Sequence, residues 1–222
     1  MEPTLPFIIP LWAELLAVGL GGLQGALFAG AFTDRRIDVL GVVIIGIGVA
    51  LGGSVLRDFL LGEAPVVIRG QWYVLVAVSL ALVGMSLQPL FVRLSSVILA
   101  LDAVTIGLFG AIGTSKALSL VVPVVPAVFV GVIAAVGGSI LRDVMLGQPI
   151  MLLHIGSLYA IAAATGAVLL VVLVAAGVGG PTAASAGVVL TTAVRLLAVR
   201  YDWSFPGQHS LVLTQLPSRK RR

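Results

Sequence analysis

Apolar residues run along this chain in long blocks, and seven of them stand out: residues 11–32, 39–61, 71–87, 97–116, 124–146, 155–176 and 181–198. Each suits one helical crossing of a bilayer, which takes about 20 residues. The separators carry breakers and charges: Asp34-Arg35-Arg36-Ile37-Asp38, Gly62-Glu63-Ala64-Pro65, Pro89, Pro123 with Pro126, Gln148-Pro149 and Gly179-Gly180-Pro181. The first block is not expected to be a cleaved signal peptide, because it is long, carries Glu14 and lacks a basic leader.

A repeat underlies the blocks. The segment from Gly52 to Gly62, GGSVLRDFLLG, recurs from Gly137 to Gly147 as GGSILRDVMLG, with eight of eleven positions identical at an offset of 85. A weaker echo aligns Glu14, Gly19, Leu20, Gly22 and Gly25 with Asp102, Gly107, Leu108, Gly110 and Gly113 at an offset of 88. Spans one to three are thus duplicated as spans four to six, and the seventh is unpaired. Three crossings is an odd number, so the second copy enters the membrane from the opposite side, an inverted-topology repeat of the kind that transporters and some channels use. The expected fold is an all-α integral membrane protein of seven transmembrane helices, a 3+3 inverted repeat plus a seventh helix. Residues 1–200 read as one transmembrane domain, with repeat one at 11–89, repeat two at 96–176 and the unpaired helix at 181–198; residues 201–222 read as a basic cytoplasmic tail.

Composition agrees: 59% of the 222 residues are hydrophobic, 10% are charged and the mean hydropathy is +1.19, so lipid must be the solvent for most of the exterior. Seven spans are expected to leave no room for an added soluble domain within these residues. With no Cys and only His154 and His209, there is no thiolate site, no HExxH pair and no His cluster, and no GxSxG elbow occurs. The chain is expected to be neither an enzyme nor a cofactor or metal protein. The net charge of +4 resembles a nucleic-acid signature until it is located: Arg219, Lys220, Arg221 and Arg222 supply all of it. That tail, with Trp203 and Phe205, suits the interface and anionic lipid rather than nucleic acid. Arg35, Arg36, Arg93, Arg200 and the tail fall on one side and only Arg69 and Lys116 at outer ends, so the N-terminus is expected outside and the C-terminus in the cytoplasm.

In so apolar a chain, the ionisable groups at membrane depth mark the expected permeation path. The pairs Gly52-Gly53 and Gly137-Gly138 lie inside apolar helices. Either they kink or unwind the helix, freeing carbonyl oxygens for a cation with Ser54 and Ser139 adding hydroxyls, or they let helices pack closely. Arg57-Asp58 and Arg142-Asp143 follow, at an expected two thirds to three quarters of the way across. Adjacent residues point about 100° apart, so each Arg is expected to find its partner on another helix while its Asp faces elsewhere. These charges either line an aqueous path or snorkel and pair structurally. Glu14 and Asp102 are symmetry-related acids that either concentrate cations at two mouths or pair with Arg57 and Arg142. Lys116, opposite Phe28 in the repeat, is either a snorkelling anchor or a movable gating charge. His154 and His209 read as solvated.

The repeated Gly-Gly-x-x-x-Arg-Asp, the stretch from Asp102 through Gly-Leu-Phe-Gly-x-x-Gly to Lys116, and seven spans in about 200 residues resemble the prokaryotic branch of the trimeric intracellular cation (TRIC) channels. That resemblance, over residues 10 to 200, implies a homotrimer in a prokaryotic inner membrane. It also implies one pore per subunit where kinked helices two and five meet, passing K⁺ and Na⁺ passively. Gly52, Gly53, Gly137 and Gly138 would be its kink residues and Lys116 its basic residue in helix four. The family often has a third glycine where this chain has Ser54 and Ser139. The phosphoinositide site of animal members is not implied, since no matching basic cluster is present. Some related bacterial sequences are described as glycine transporters, which sets a carrier for a small neutral amino acid beside the channel.

Overall fold

The computed structural model describes residues 9–30, 37–91, 95–153 and 158–203. The tail cations, Arg35, Arg36, Arg93, His154 and His209 lie outside these. The described residues form eight α-helices and no strand: α1 Leu11–Gly30, α2 Val39–Leu60, the four-residue α3 Val66–Arg69, α4 Gln71–Phe91, α5 Ser95–Ser119, α6 Val124–Met145, α7 Tyr159–Ala175 and α8 Gly180–Arg200, with a 3₁₀ turn at Met151–Leu153. Six of the helices are long and apolar enough to cross a membrane, and α7, at 17 residues, is a shorter apolar helix. Bulky side chains such as Phe59 and Val125, each 79% exposed, cover the outside, as a lipid-facing surface requires. The chain is a multi-pass membrane protein.

Helix ends follow local chemistry. The Asp38 carboxylate caps α2 by accepting from the Gly41 N–H at 2.7 Å. Pro126 is tolerated in the first turn of α6, where N–H groups lack helical partners. Pro89, expected as a separator, lies inside the last turn of α4, where one lost backbone bond costs little. α2 and α6 close with the same Schellman motif. Gly62 and Gly147 take φ of +67° and +61°, and the next N–H groups, of Glu63 and Gln148, reach back to the carbonyls of Asp58 and Asp143 at 2.9 and 2.8 Å. The terminal glycine of the repeated segment is therefore a helix stop.

Within the first repeat α1 packs on α4 and α2; within the second, α5 packs on α6, and α6 on α7. α2 and α6 join the two copies, with α1 touching α5. Symmetry fails where α8 packs against both α5 and α7, which touch each other less than α1 and α4 do. The unpaired helix is thus a wedge in one repeat. Small residues set these crossings: a Cβ on Gly22 would stand 2.7 Å from the Ala77 carbonyl oxygen, and one on Gly187 would stand 2.8 Å from that of Gly166.

Candidate functional site

The repeated segment works as a two-fold device. α2 and α6 are continuous α-helix through Gly52-Gly53 and Gly137-Gly138, so the glycines act as the contact surface of a crossing rather than as points of unwinding. A Cβ on Gly53 would overlap the Ala134 carbonyl oxygen, and one on Gly138 would overlap that of Val49; Gly52 meets Leu141 and Gly137 meets Leu56. Every pair maps onto the other by exchanging residues 85 apart, which places the local two-fold axis in this crossing. The Ser54 and Ser139 hydroxyls donate to the carbonyls of Leu51 and Val136, both at 2.8 Å.

Arg57-Asp58 and Arg142-Asp143 sit in the last turns of their helices, nearer the ends than expected, yet all four are buried. The chain after each helix folds back over them. One Asp58 oxygen accepts from the Val66 N–H at 2.8 Å, and Asp143 accepts from the equivalent Met151 N–H at 2.9 Å. Each Arg also bonds its own neighbour, Arg57 Nε to Asp58 at 2.8 Å and Arg142 Nε to Asp143 at 2.9 Å. This corrects the expectation that adjacent Arg and Asp turn apart: three methylenes let the guanidinium bend across the 100° between them.

At one end of the bundle the first cluster forms from the starts of α1 and α4 and the ends of α2 and α5. Glu14 accepts from the Tyr73 hydroxyl and lies 3.9 Å from Arg57, while Lys116 Nζ bonds Asp58 at 2.6 Å. Lys116 therefore turns inward to a buried acid instead of snorkelling outward. Nearby, the exposed Arg69 pairs with Glu63, a hydrogen bond that holds the guanidinium pKa above its ordinary value. The second cluster occupies the opposite end. Asp102 accepts from Tyr159 and from Gln24, and Arg195 of α8 stands 3.8 Å from it and 3.8 Å over the Tyr159 ring. Arg142, for which pairing with Asp102 was one of the two alternatives, lies 3.8 Å over the ring of Phe28, the residue equivalent to Lys116.

Each cluster thus holds two acids and two bases: Glu14 and Asp58 with Arg57 and Lys116, then Asp102 and Asp143 with Arg142 and Arg195. The extra cation comes from α5 in one and from the wedge helix in the other. Beside each lies a small cavity of about 10 Å³, the first bordered by Glu14, Ser54, Arg57 and Tyr73, the second by Gln24, Asp102, Thr105 and Ser139.

Sequence reading missed Arg195, Tyr73, Tyr159, Gln24 and the pairing role of Phe28. The tyrosines had a signal: they lie 86 apart, between the two repeat offsets, and the chain has only three. Arg195 had none, since its helix has no second copy. Asp102→Asn and Arg195→Met are each expected to lower thermal stability in detergent. The double variant should cost less than the sum by about 0.5–3 kcal/mol, as for any directly coupled pair, and simple additivity would break the assignment.

Comparison with known proteins gives consistent relatives. The family model described as glycine transporter matches twice, over residues 11–89 and 99–175. The inner membrane protein YadS of Escherichia coli K12, of the UPF0126 group, is 31% identical over 88% of this chain and 94% of its own length. A UPF0126 membrane protein of Vibrio cholerae is 32% identical over 87% of this chain and 80% of its own length. Among solved structures, one of the TRIC cation channels superposes with a TM-score of 0.80 at 27% identity, covering 90% of this chain and 98% of that one. The TRIC trimeric intracellular cation channel orthologue from Rhodobacter sphaeroides gives 0.79 at 27% identity, covering 87% and 98%.

Proposed function

The chain belongs to the glycine transporter family, and we propose that this member is a passive channel for monovalent cations, K⁺ and also Na⁺, acting as a homotrimer with one path in each subunit. The observation that carries the reading is the likeness, over nearly the whole chain, to solved TRIC cation channels. The path runs along the α2·α6 crossing between the two charged ends, with Ser54 and Ser139 beside it. In the cell the first cluster faces outward and the second faces the cytoplasm, and no catalytic step is involved.

The name of the family keeps a second reading in view, a carrier for glycine. A carrier must offer unengaged groups to a carboxylate and an ammonium together. Among the described residues, the acids and bases of both clusters are already engaged with one another, two against two, which favours the channel.

Purified protein in a planar bilayer under a KCl gradient is expected to give unitary currents that reverse toward the K⁺ equilibrium potential. Silent bilayers, together with proteoliposomes that accumulate labelled glycine against its gradient, would overturn the channel in favour of the carrier.

A further inference from the structure

Phe109 borders both small cavities. It lies two residues from the middle of the 25-residue α5 and is 5% exposed. Its repeat partner, at the offset of 88, is Gly21, and a Cβ built on Gly21 would stand 3.5 Å from the edge of the Phe109 ring. Two equivalent positions therefore face each other, and the Ala50 backbone, with its Cα 2.9 Å from that Cβ, leaves no room for a side chain on the Gly21 side. The second repeat supplies a ring and the first supplies none. Neither identity nor hydropathy marks the pair as special in the sequence.

We infer that Phe109 is the hydrophobic constriction of the permeation path, closing it between an outer half bordered by Glu14, Ser54, Arg57 and Tyr73 and an inner half bordered by Gln24, Asp102, Thr105 and Ser139. The inference rests on the channel reading. Each half, at about 10 Å³, is no larger than the room for a single water. The ring between them offers an entering ion only apolar surface, with no oxygen to replace the hydration it must shed, and such a waist blocks conduction by excluding water. Conduction requires the ring to leave the waist, and the residue at this position sets how often it does.

The chain contains no cysteine, so a single introduced thiol reports on one position without a background. Phe109→Cys is expected to conduct with a higher open probability than the parent, by several-fold, and a cationic methanethiosulfonate added to the bath should then reduce its current several-fold while leaving the parent untouched. Phe109→Leu should fall between Cys and Phe, and Phe109→Trp below Phe; these two carry the test if the Cys variant does not assemble. Variants indistinguishable from a conducting parent, with no reagent effect, would overturn the constriction while the channel stands. A parent that passes no cations under the same conditions overturns the channel reading first, and the constriction with it.

Discussion

Asp58→Asn is expected to be the most damaging single charge change in the protein, lowering stability by about 3–5 kcal/mol, the range for removing one partner of a buried ion pair. Asp58 is fully buried and holds Arg57 at 2.8 Å, Lys116 at 2.6 Å and the Val66 N–H at 2.8 Å. Asparagine keeps an oxygen for the Val66 N–H but leaves two cations beside each other with only Glu14, 3.9 Å from Arg57, to offset them. A native state stable by about 5–15 kcal/mol would lose a large part of its margin, so poor yield and early melting in detergent should follow. Asp143→Asn removes the counter-charge of a single cation, Arg142, which keeps the face of Phe28, an interaction worth about 0.5–2 kcal/mol. It should therefore cost less than its symmetry mate. Adding Lys116→Met to Asp58→Asn removes one surplus charge and should recover part of the loss. Equal melting of all these variants would mean that the fold-back is held by its apolar contacts alone.

How far the sequence reveals such a network depends on which part of it is duplicated. The seven spans and the inverted repeat were legible because lipid demands long apolar blocks and because the segments at Gly52 and Gly137 kept their spelling. Asp58 and Asp143 could be singled out the same way. Their burial could not, because it comes from the fold-back of residues 63–69 and 148–153, a tertiary event with no periodic trace. Pairing partners were hidden for a related reason. The extra cations break the symmetry: Lys116 is matched to Phe28, and Arg195 belongs to a helix without a copy, where a basic residue near the end looks like an ordinary topological marker. The repeat thus exposed the groups that both halves use alike and concealed those that let the halves differ, Phe109 and Gly21 among them.

Gly53→Ala and Gly138→Ala are expected to be the most damaging of the glycine substitutions, and their sign separates two physical roles. Alanine is the better helix former by about 0.8–1.0 kcal/mol, so if the paired glycines served only to weaken their helices, each replacement would stabilise a straight one, and all four would behave alike. In the crossing they cannot behave alike. A Cβ on Gly53 drives into the Ala134 carbonyl, whose carbon is 3.1 Å away, and one on Gly138 into that of Val49, with its carbon at 3.2 Å. Backbone in the middle of a helix cannot rotate aside, so α2 and α6 must separate along the contact that joins the two repeats. Overpacking of this kind costs about 1–3 kcal/mol where side chains can adjust and more where they cannot. Gly52 meets chiefly the end of the Leu141 side chain, which can move, so alanine there should cost least, whereas Gly137 meets the end of Leu56 and also the Gly53 Cα at 3.0 Å, so alanine there should cost an intermediate amount. Thermal melting of the four single variants in detergent would show the order, with Gly53 and Gly138 lowest. The double variant Gly53→Ala with Gly138→Ala should cost less than the sum, since helices already parted for the first methyl have made room for the second, whereas independent helix straightening would add without saving.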